Sequence, residues 1–260
     1  MPLAKVNGIN IGYDIEGTGP PLVLIMGLGV DRSGWRYQVP AFRNSYRVVT
    51  FDNRGVGLSD KPPGPYSPAL MAEDTIGLMG LLEIEKAHIM GISMGGLIAQ
   101  EIAINYPGRV FKLVLGSTWA CQDNETNGIT PDMLAATDLP PRQGFKRLLD
   151  ASVNKFFIRF VLVPLLKLRV RRVKESEFAG IKAQVEGIKK FDSRDRLPSI
   201  KAPTLVLTGS KDRVVKPGSS VTLSQKIPGA RVVMIKNGSH AVSMEKTKEF
   251  NREVLEFLQS

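Results

Sequence analysis

Short apolar runs alternate with helix-patterned stretches along most of the chain, and this alternation restricts the fold more than any other feature. It opens on a hairpin signal. Lys5-Val6 and Ile9 to Ile15 are strand-like runs separated by Asn7-Gly8, a dipeptide suited to the positive φ angles of a tight turn. Leu22 to Met26, Arg47 to Phe51, Ala87 to Met90 and Val110 to Leu115 are continuous apolar runs of the kind shown by strands buried on both faces. Helical patterns at Ser67 to Leu82 and Met94 to Tyr106 lie between them. Thr204 to Leu207 and Val232 to Ile235 each precede a further helical stretch, the last being Met244 to Leu258. The pattern predicts an α/β fold, with a mostly parallel sheet of about eight strands and helices on both faces.

The alternation breaks after residue 118. From about 119 to 199 the pattern is helical only, with Phe145, Leu148 and Leu149 on one apolar face. Phe178, Ile181, Val185 and Ile188 fall on another, at helical spacing. Pro140-Pro141 and Pro198 punctuate the segment. The expected organisation is a core built from residues 1–118 and 197–260, with 119–196 inserted as a helical cap over the carboxyl ends of the strands.

Composition removes several classes. With 43% hydrophobic residues in 260, the chain has ample apolar side chains for a packed core, so it is not intrinsically disordered. Cys121 is the single cysteine, which rules out an internal disulfide framework. The opening MPLAKVNGIN lacks the apolar region of a signal peptide. Phe156 to Leu168 is too short, and too interrupted by Arg159, Pro164 and Lys167, to cross a bilayer. A cytoplasmic location is the expectation. One cysteine and seven glutamines point toward a heat-adapted source. The net charge of +10 is concentrated: 142–196 holds 15 Lys/Arg against 6 Asp/Glu. Between 151 and 174 stand Lys155, Arg159, Lys167, Arg169, Arg171, Arg172 and Lys174, with no acid among them.

Gly91-Ile92-Ser93-Met94-Gly95 fits Gly-x-Ser-x-Gly, a pentapeptide that a chain of this composition contains by chance about one time in six. Its setting adds the weight, because it follows the strand pattern KAHIM and opens the helix pattern GLIAQEIAINY. That is the strand–turn–helix context of a nucleophile elbow, where small residues at 91 and 95 permit the close backbone approach of the turn. The plainer alternative is a glycine-rich turn in which Ser93 caps the helix.

A nucleophilic serine needs a base, and the chain has two histidines. His88 lies inside the strand that leads to Ser93, at an odd offset that points it to the other face. His240 stands in the loop Lys236-Asn237-Gly238-Ser239-His240, after the last strand, where an imidazole reaches over a carboxyl edge. The base needs an orienting carboxylate in turn, and Asp212 follows the strand TLVLTG at the same edge. Asp31, Asp52 and Asp60 lie in other edge loops, none of them after the strand preceding the histidine strand. The order Ser93, Asp212, His240 is the one expected of this architecture. No metal is implied, since the histidines are not at ligand spacing and there is no cysteine cluster.

Taken with IMGLG, FDNRGVGLSD, GISMGG, TGSKD and NGSH, the chain resembles the α/β-hydrolase superfamily over essentially its whole length. Within it, the chain is similar to small capped esterases and lactonases, among them thermophilic archaeal carboxylesterases and 3-oxoadipate enol-lactonase relatives. The resemblance implies a helical cap at the insertion and an oxyanion hole made by the backbone N–H groups of Leu28 and Met94. It implies a mainly structural role for Asp52, Arg54, Gly55 and Gly57. Met26 departs from the histidine usual before Gly27, without removing the backbone donor. Serine at 93 separates the chain from haloalkane dehalogenases, which use aspartate.

The expected function is therefore carboxylic-ester hydrolysis through an acyl-enzyme, with Ser93 as nucleophile, His240 as base and Asp212 orienting the imidazole. Lactone, acyl-CoA thioester or C–C bond hydrolysis on the same triad is the alternative, and a non-catalytic ligand-binding protein is the rival of a different class. No cofactor is required. Arg159, Lys167, Arg169, Arg171, Arg172 and Lys174 form a candidate site for coenzyme A, acyl-CoA or another anion, or else a solvated face. A phospholipid surface offers the same chemistry. No nucleic-acid motif accompanies the charge. The expected partners are a small ester substrate and, in assembly, a monomer or small homo-oligomer.

Overall fold

The computed structural model describes residues 2–122, 130–152 and 174–260. Eight strands form one sheet: β1 (Leu3–Val6), β2 (Ile9–Glu16), β3 (Pro21–Ile25), β4 (Arg47–Phe51), β5 (Ala87–Ile92), β6 (Val110–Gly116), β7 (Thr204–Gly209) and β8 (Arg231–Ile235). Their order is β1-β2-β4-β3-β5-β6-β7-β8, and the sheet is parallel from β4 onward. The opening hairpin adds the antiparallel edge, β1 on β2 and β2 on β4. Asn7 and Gly8 take the positive φ angles expected of the turn, 49° and 79°.

Alternation of side chains divides the apolar runs between two cores. Val23, Ile25, Val49, Phe51, Ile89, Leu113, Leu115 and Val206 face the helices Pro68–Leu81 and Met94–Asn105. Leu22, Leu24, Val48, Met90, Val114, Leu205 and Leu207 face Trp35, Phe42 and the helix Thr247–Gln259, which contributes Phe250, Val254 and Phe257. Both faces are covered, which is why the strands carry no polar alternation.

Element limits moved little from the sequence pattern, with one break. The closing helical stretch is two pieces, Val242–Glu245 and Thr247–Gln259. Lys246 separates them with a non-helical φ of −121°, so the pattern of Met244 to Leu258 is interrupted at its third residue.

Between β6 and β7 the described residues hold the helices Pro131–Ala136, Pro141–Ser152 and Glu175–Ile188. Phe145 and Leu148 are buried, as are Phe178, Ile181, Val185 and Ile188 of the returning helix. The side chain of Leu149 lies outside the described residues. One strand-type contact interrupts the helical expectation, an isolated antiparallel bridge from Cys121 to Asp192.

The returning helix Glu175–Ile188 sits directly on core loops, through glycines. A methyl group at Gly180 would overlap the carbonyl oxygen of Gly55, and one at Gly187 would overlap that of Tyr66. Tyr66 N–H donates to the carbonyl of Ala183 at 3.0 Å. Backbones meet here at distances only glycine permits.

Candidate active site

Ser93 stands between the end of β5 and the start of the helix Met94–Asn105, at φ 55° and ψ −124°. A non-glycine residue in that region is strained and is held only by its surroundings. Here the surroundings are tight. Ser93 N–H donates to the carbonyl of Gly116 at 2.9 Å, and the Ser93 carbonyl accepts from Gly96 N–H at 2.8 Å. A side chain at Gly91 would overlap the carbonyl of Gly95, and one at Gly95 would overlap that of Ile25. The capping alternative is excluded, because the Ser93 side chain makes no helix-capping hydrogen bond.

Three loops at the carboxyl edge bring the remaining groups together. Ser93 Oγ lies 3.2 Å from His240 Nε2, and His240 Nδ1 lies 2.9 Å from Asp212 Oδ2. These contacts span 147 and 28 residues of chain. Asp212 is buried, and its other oxygen accepts from the N–H groups of Val214 and Val215, each at 2.9 Å. The carboxylate is thus fixed on one oxygen and free to receive the imidazole Nδ1–H on the other. A hydroxyl, an imidazole and a carboxylate in such a row can pass a proton from the hydroxyl to the ring while the carboxylate holds the tautomer.

The competing groups are elsewhere. His88 is buried at the opposite end of β5, with its ring between Tyr46 and Phe111 at centroid distances of 5.6 and 5.5 Å. Burial first, and the nearby Lys112 charge second, lower its pKa to about 4. Asp31 accepts from Ser33, Asp60 from Asn10, and Asp52 from Arg32 and Leu58. Burial raises the Asp52 pKa against these donors. Arg54 is held by the buried Asp74 in a two-pronged ion pair, at 2.5 and 2.7 Å.

Leu28 follows Gly27 and Met94 follows Ser93 in the chain. The Leu28 N–H has no partner among the described residues, and Met94 stands in the first turn of its helix, whose N–H groups have no intrahelical acceptor. Gly27 lies against Ser93, since a Cβ placed on it would stand 3.1 Å from the serine Cβ. Met26 contributes its backbone, accepting at its carbonyl from Asn53 Nδ2 at 2.9 Å. Of the basic candidates, Lys174 is exposed just before the helix Glu175–Ile188. Arg159, Lys167, Arg169, Arg171 and Arg172 lie outside the described residues.

The pattern did not single out three residues that the structure brings to this site. Thr118 Oγ1 donates to the Ser93 carbonyl, Asn53 holds Met26, and Gln184 reaches Gly29. Asn53 stood inside a recognisable loop motif, whereas Thr118 and Gln184 carried no local signal.

A strained serine at a strand–helix turn, in line with an imidazole and a carboxylate at the carboxyl ends of parallel strands, defines the class of α/β hydrolases. Residues 20–247 match the alpha/beta hydrolase fold family, and the chain belongs to it. It is 30% identical over 274 residues to a protein of Azorhizobium caulinodans named "Putative carbamate hydrolase RutD", with 99% of this chain and 98% of that one covered. The enol-lactonase from Burkholderia xenovorans LB400 superposes with a TM-score of 0.89 at 31% identity, covering 100% of each chain. A meta-cleavage product hydrolase from Pseudomonas fluorescens IP01 superposes at 0.87 with 28% identity, covering 100% of this chain and 97% of its own. These relatives are hydrolases of different bonds, and the chain is a hydrolase of the same fold. Among the described residues no helix is long and apolar enough to cross a membrane.

Proposed function

We propose that the protein is a serine hydrolase of carboxylic esters. The observation that carries this reading is the row Ser93 Oγ, His240 Nε2 and Nδ1, Asp212 Oδ2, at 3.2 and 2.9 Å. Ser93 Oγ attacks the acyl carbon as its proton passes to His240 Nε2. Asp212 accepts the Nδ1–H bond and stabilises the imidazolium that forms. The carbonyl oxygen gains negative charge and is received by the Leu28 and Met94 N–H groups. His240 then gives its proton to the departing alkoxide, leaving an acyl-enzyme. Water attacks that ester with His240 again as base, and His240 returns the proton to Ser93 Oγ as the C–Oγ bond breaks and the acid departs.

Lactones are cyclic esters, so the likeness to an enol-lactonase favours a second substrate class on the same apparatus. There the alkoxide stays tethered to the acyl group. A panel of p-nitrophenyl esters, lactones and acyl-CoA thioesters separates these substrates, and a fluorophosphonate probe reports the serine itself. Failure of the probe to label Ser93 overturns the proposal.

The segment 119–196 is proposed as the cap that borders the site. Support comes from the returning helix, which reaches the loop beside Leu28. The seven bases without an acid between 151 and 174 favour an anionic acyl carrier such as coenzyme A as a further ligand. Calorimetric titration with coenzyme A at low salt decides this, and a flat titration leaves the bases as surface charge.

A further inference from the structure

The Leu28 donor is not held by the core alone. Its N–H belongs to the peptide unit Gly27–Leu28, whose carbonyl accepts from Val30 N–H at 3.4 Å. That unit is bracketed by two side-chain hydrogen bonds. On one side Asn53 Nδ2 holds the Met26 carbonyl at 2.9 Å. On the other, Gly29 N–H donates to Gln184 Oε1 at 2.9 Å. Gln184 comes from the returning helix Glu175–Ile188, 155 residues along the chain from Gly29.

Gln184 is fully buried and uses both ends of its carboxamide. While Oε1 accepts from Gly29, Nε2 donates to the carbonyl of Arg54 at 2.9 Å. The amide therefore ties the loop of Leu28 to the loop of Asn53, and Asn53 grips Met26 from that second loop. Ile181, one turn earlier on the same helix, packs on Gly29, where a Cβ would stand 3.3 Å from it. The result is a closed ring of contacts: Met26 to Asn53, Arg54 to Gln184, Gln184 to Gly29, with Leu28 in the middle. Gly29 has φ +66°, so the chain turns sharply at the point Gln184 grips.

We infer that Gln184 is a positioning residue for the oxyanion donor Leu28 N–H, through which the segment between β6 and β7 takes part in transition-state stabilisation. This rests on the ester-hydrolase reading above. Both ends of the Gln184 carboxamide are taken up by backbone, so it acts through the loop and not on the reacting atoms. Its effect is to aim a donor whose value depends on direction, and misaimed donors lose most where the oxygen is fully charged. Removing it lowers kcat while ground-state binding stays.

Gln184→Met keeps the volume and removes both hydrogen bonds. On a p-nitrophenyl ester it is expected to lower kcat about 10- to 100-fold, below the loss for deleting a whole donor. KM stays within about twofold, as for an interaction made only in the transition state. A trifluoromethyl ketone, which adds Ser93 Oγ to form a hemiketal whose former carbonyl oxygen is the oxyanion as the proton passes to His240, should weaken by the same factor as kcat/KM. The matching methyl ketone should not. An unchanged kcat in folded Gln184→Met, or equal weakening of both ketones, overturns the inference. If that variant does not fold, Gln184→Glu replaces it. A protonated Glu keeps both bonds, whereas the ionised form faces the Arg54 carbonyl with no proton. Its kcat relative to wild type should then fall as pH rises, at constant KM, and a flat ratio overturns the inference. Wild-type protein that hydrolyses no ester and is not labelled at Ser93 overturns the parent reading instead, and this inference with it.

Discussion

Thr118 Oγ1 donates a 2.8 Å hydrogen bond to the carbonyl oxygen of Ser93, from just beyond the end of β6. The strained peptide of the elbow is thus secured from the neighbouring strand as well as by its own helix. Thr118→Val keeps the shape and removes the donor, while Gly96 N–H still serves the same carbonyl. The expected cost is about 1 kcal/mol in stability, with kcat falling a few-fold. Denaturant unfolding and ester kinetics on the same preparation check both, and an unchanged protein would show that Gly116 and Gly96 secure the elbow without Thr118.

Ser93→Ala should abolish ester turnover and preserve the fold. Losses of about 10⁴ to 10⁶ in kcat are typical when a nucleophile acting with its base is deleted. Retention of more than about a tenth of wild-type activity would remove Ser93 from the mechanism.

His240→Ala should cost a similar factor, because the hydroxyl then loses the group to which it passes its proton. His88→Ala should leave turnover nearly unchanged in protein that remains folded. Steady-state kinetics of the two variants, with circular dichroism of each, exchange the assignments if the outcomes are reversed.

His88 carries a stability prediction of its own. Its folded pKa of about 4 lies below the unfolded value of about 6.5. Above the unfolded value both states hold it neutral, so its packing is fully favourable there. As pH falls below that value the unfolded chain takes up a proton that the folded chain refuses, and stability is lost until the folded group also protonates. The loss should be about 2 kcal/mol over this interval, less than the full 1.4 kcal/mol per unit because the ring lies beside the half-exposed Phe111. Unfolding of wild type and His88→Leu at several pH values checks this. A His88→Leu curve parallel to wild type places the acid sensitivity elsewhere.

Much of the sheet was legible because its strands are buried on both faces. Val23 and Leu24 point opposite ways, yet each meets a core, so the run reads as unbroken apolar sequence. The elbow was legible because glycine and serine there answer to local backbone geometry. His240 emerged by elimination between two histidines, and Asp212 by its place after β7. Gln184 was invisible for the opposite reason. Its carboxamide serves Gly29 and Arg54, which are 155 and 130 residues away, and no short pattern encodes such a bridge. The break at Lys246 was also hidden, since apolar spacing continues across it and only the backbone turns aside.

The glycine-to-backbone seating of the helix Glu175–Ile188 bears on protein engineering. Gly180 against Gly55 and Gly187 against Tyr66 leave no room for the side chains that a transplanted helix would bring. A chimera that imports the whole of 119–196 from a relative would carry mismatched surfaces into the loops that hold Leu28. Grafts that alter specificity should keep this chain's own sequence from residue 175 onward and place the second junction before it.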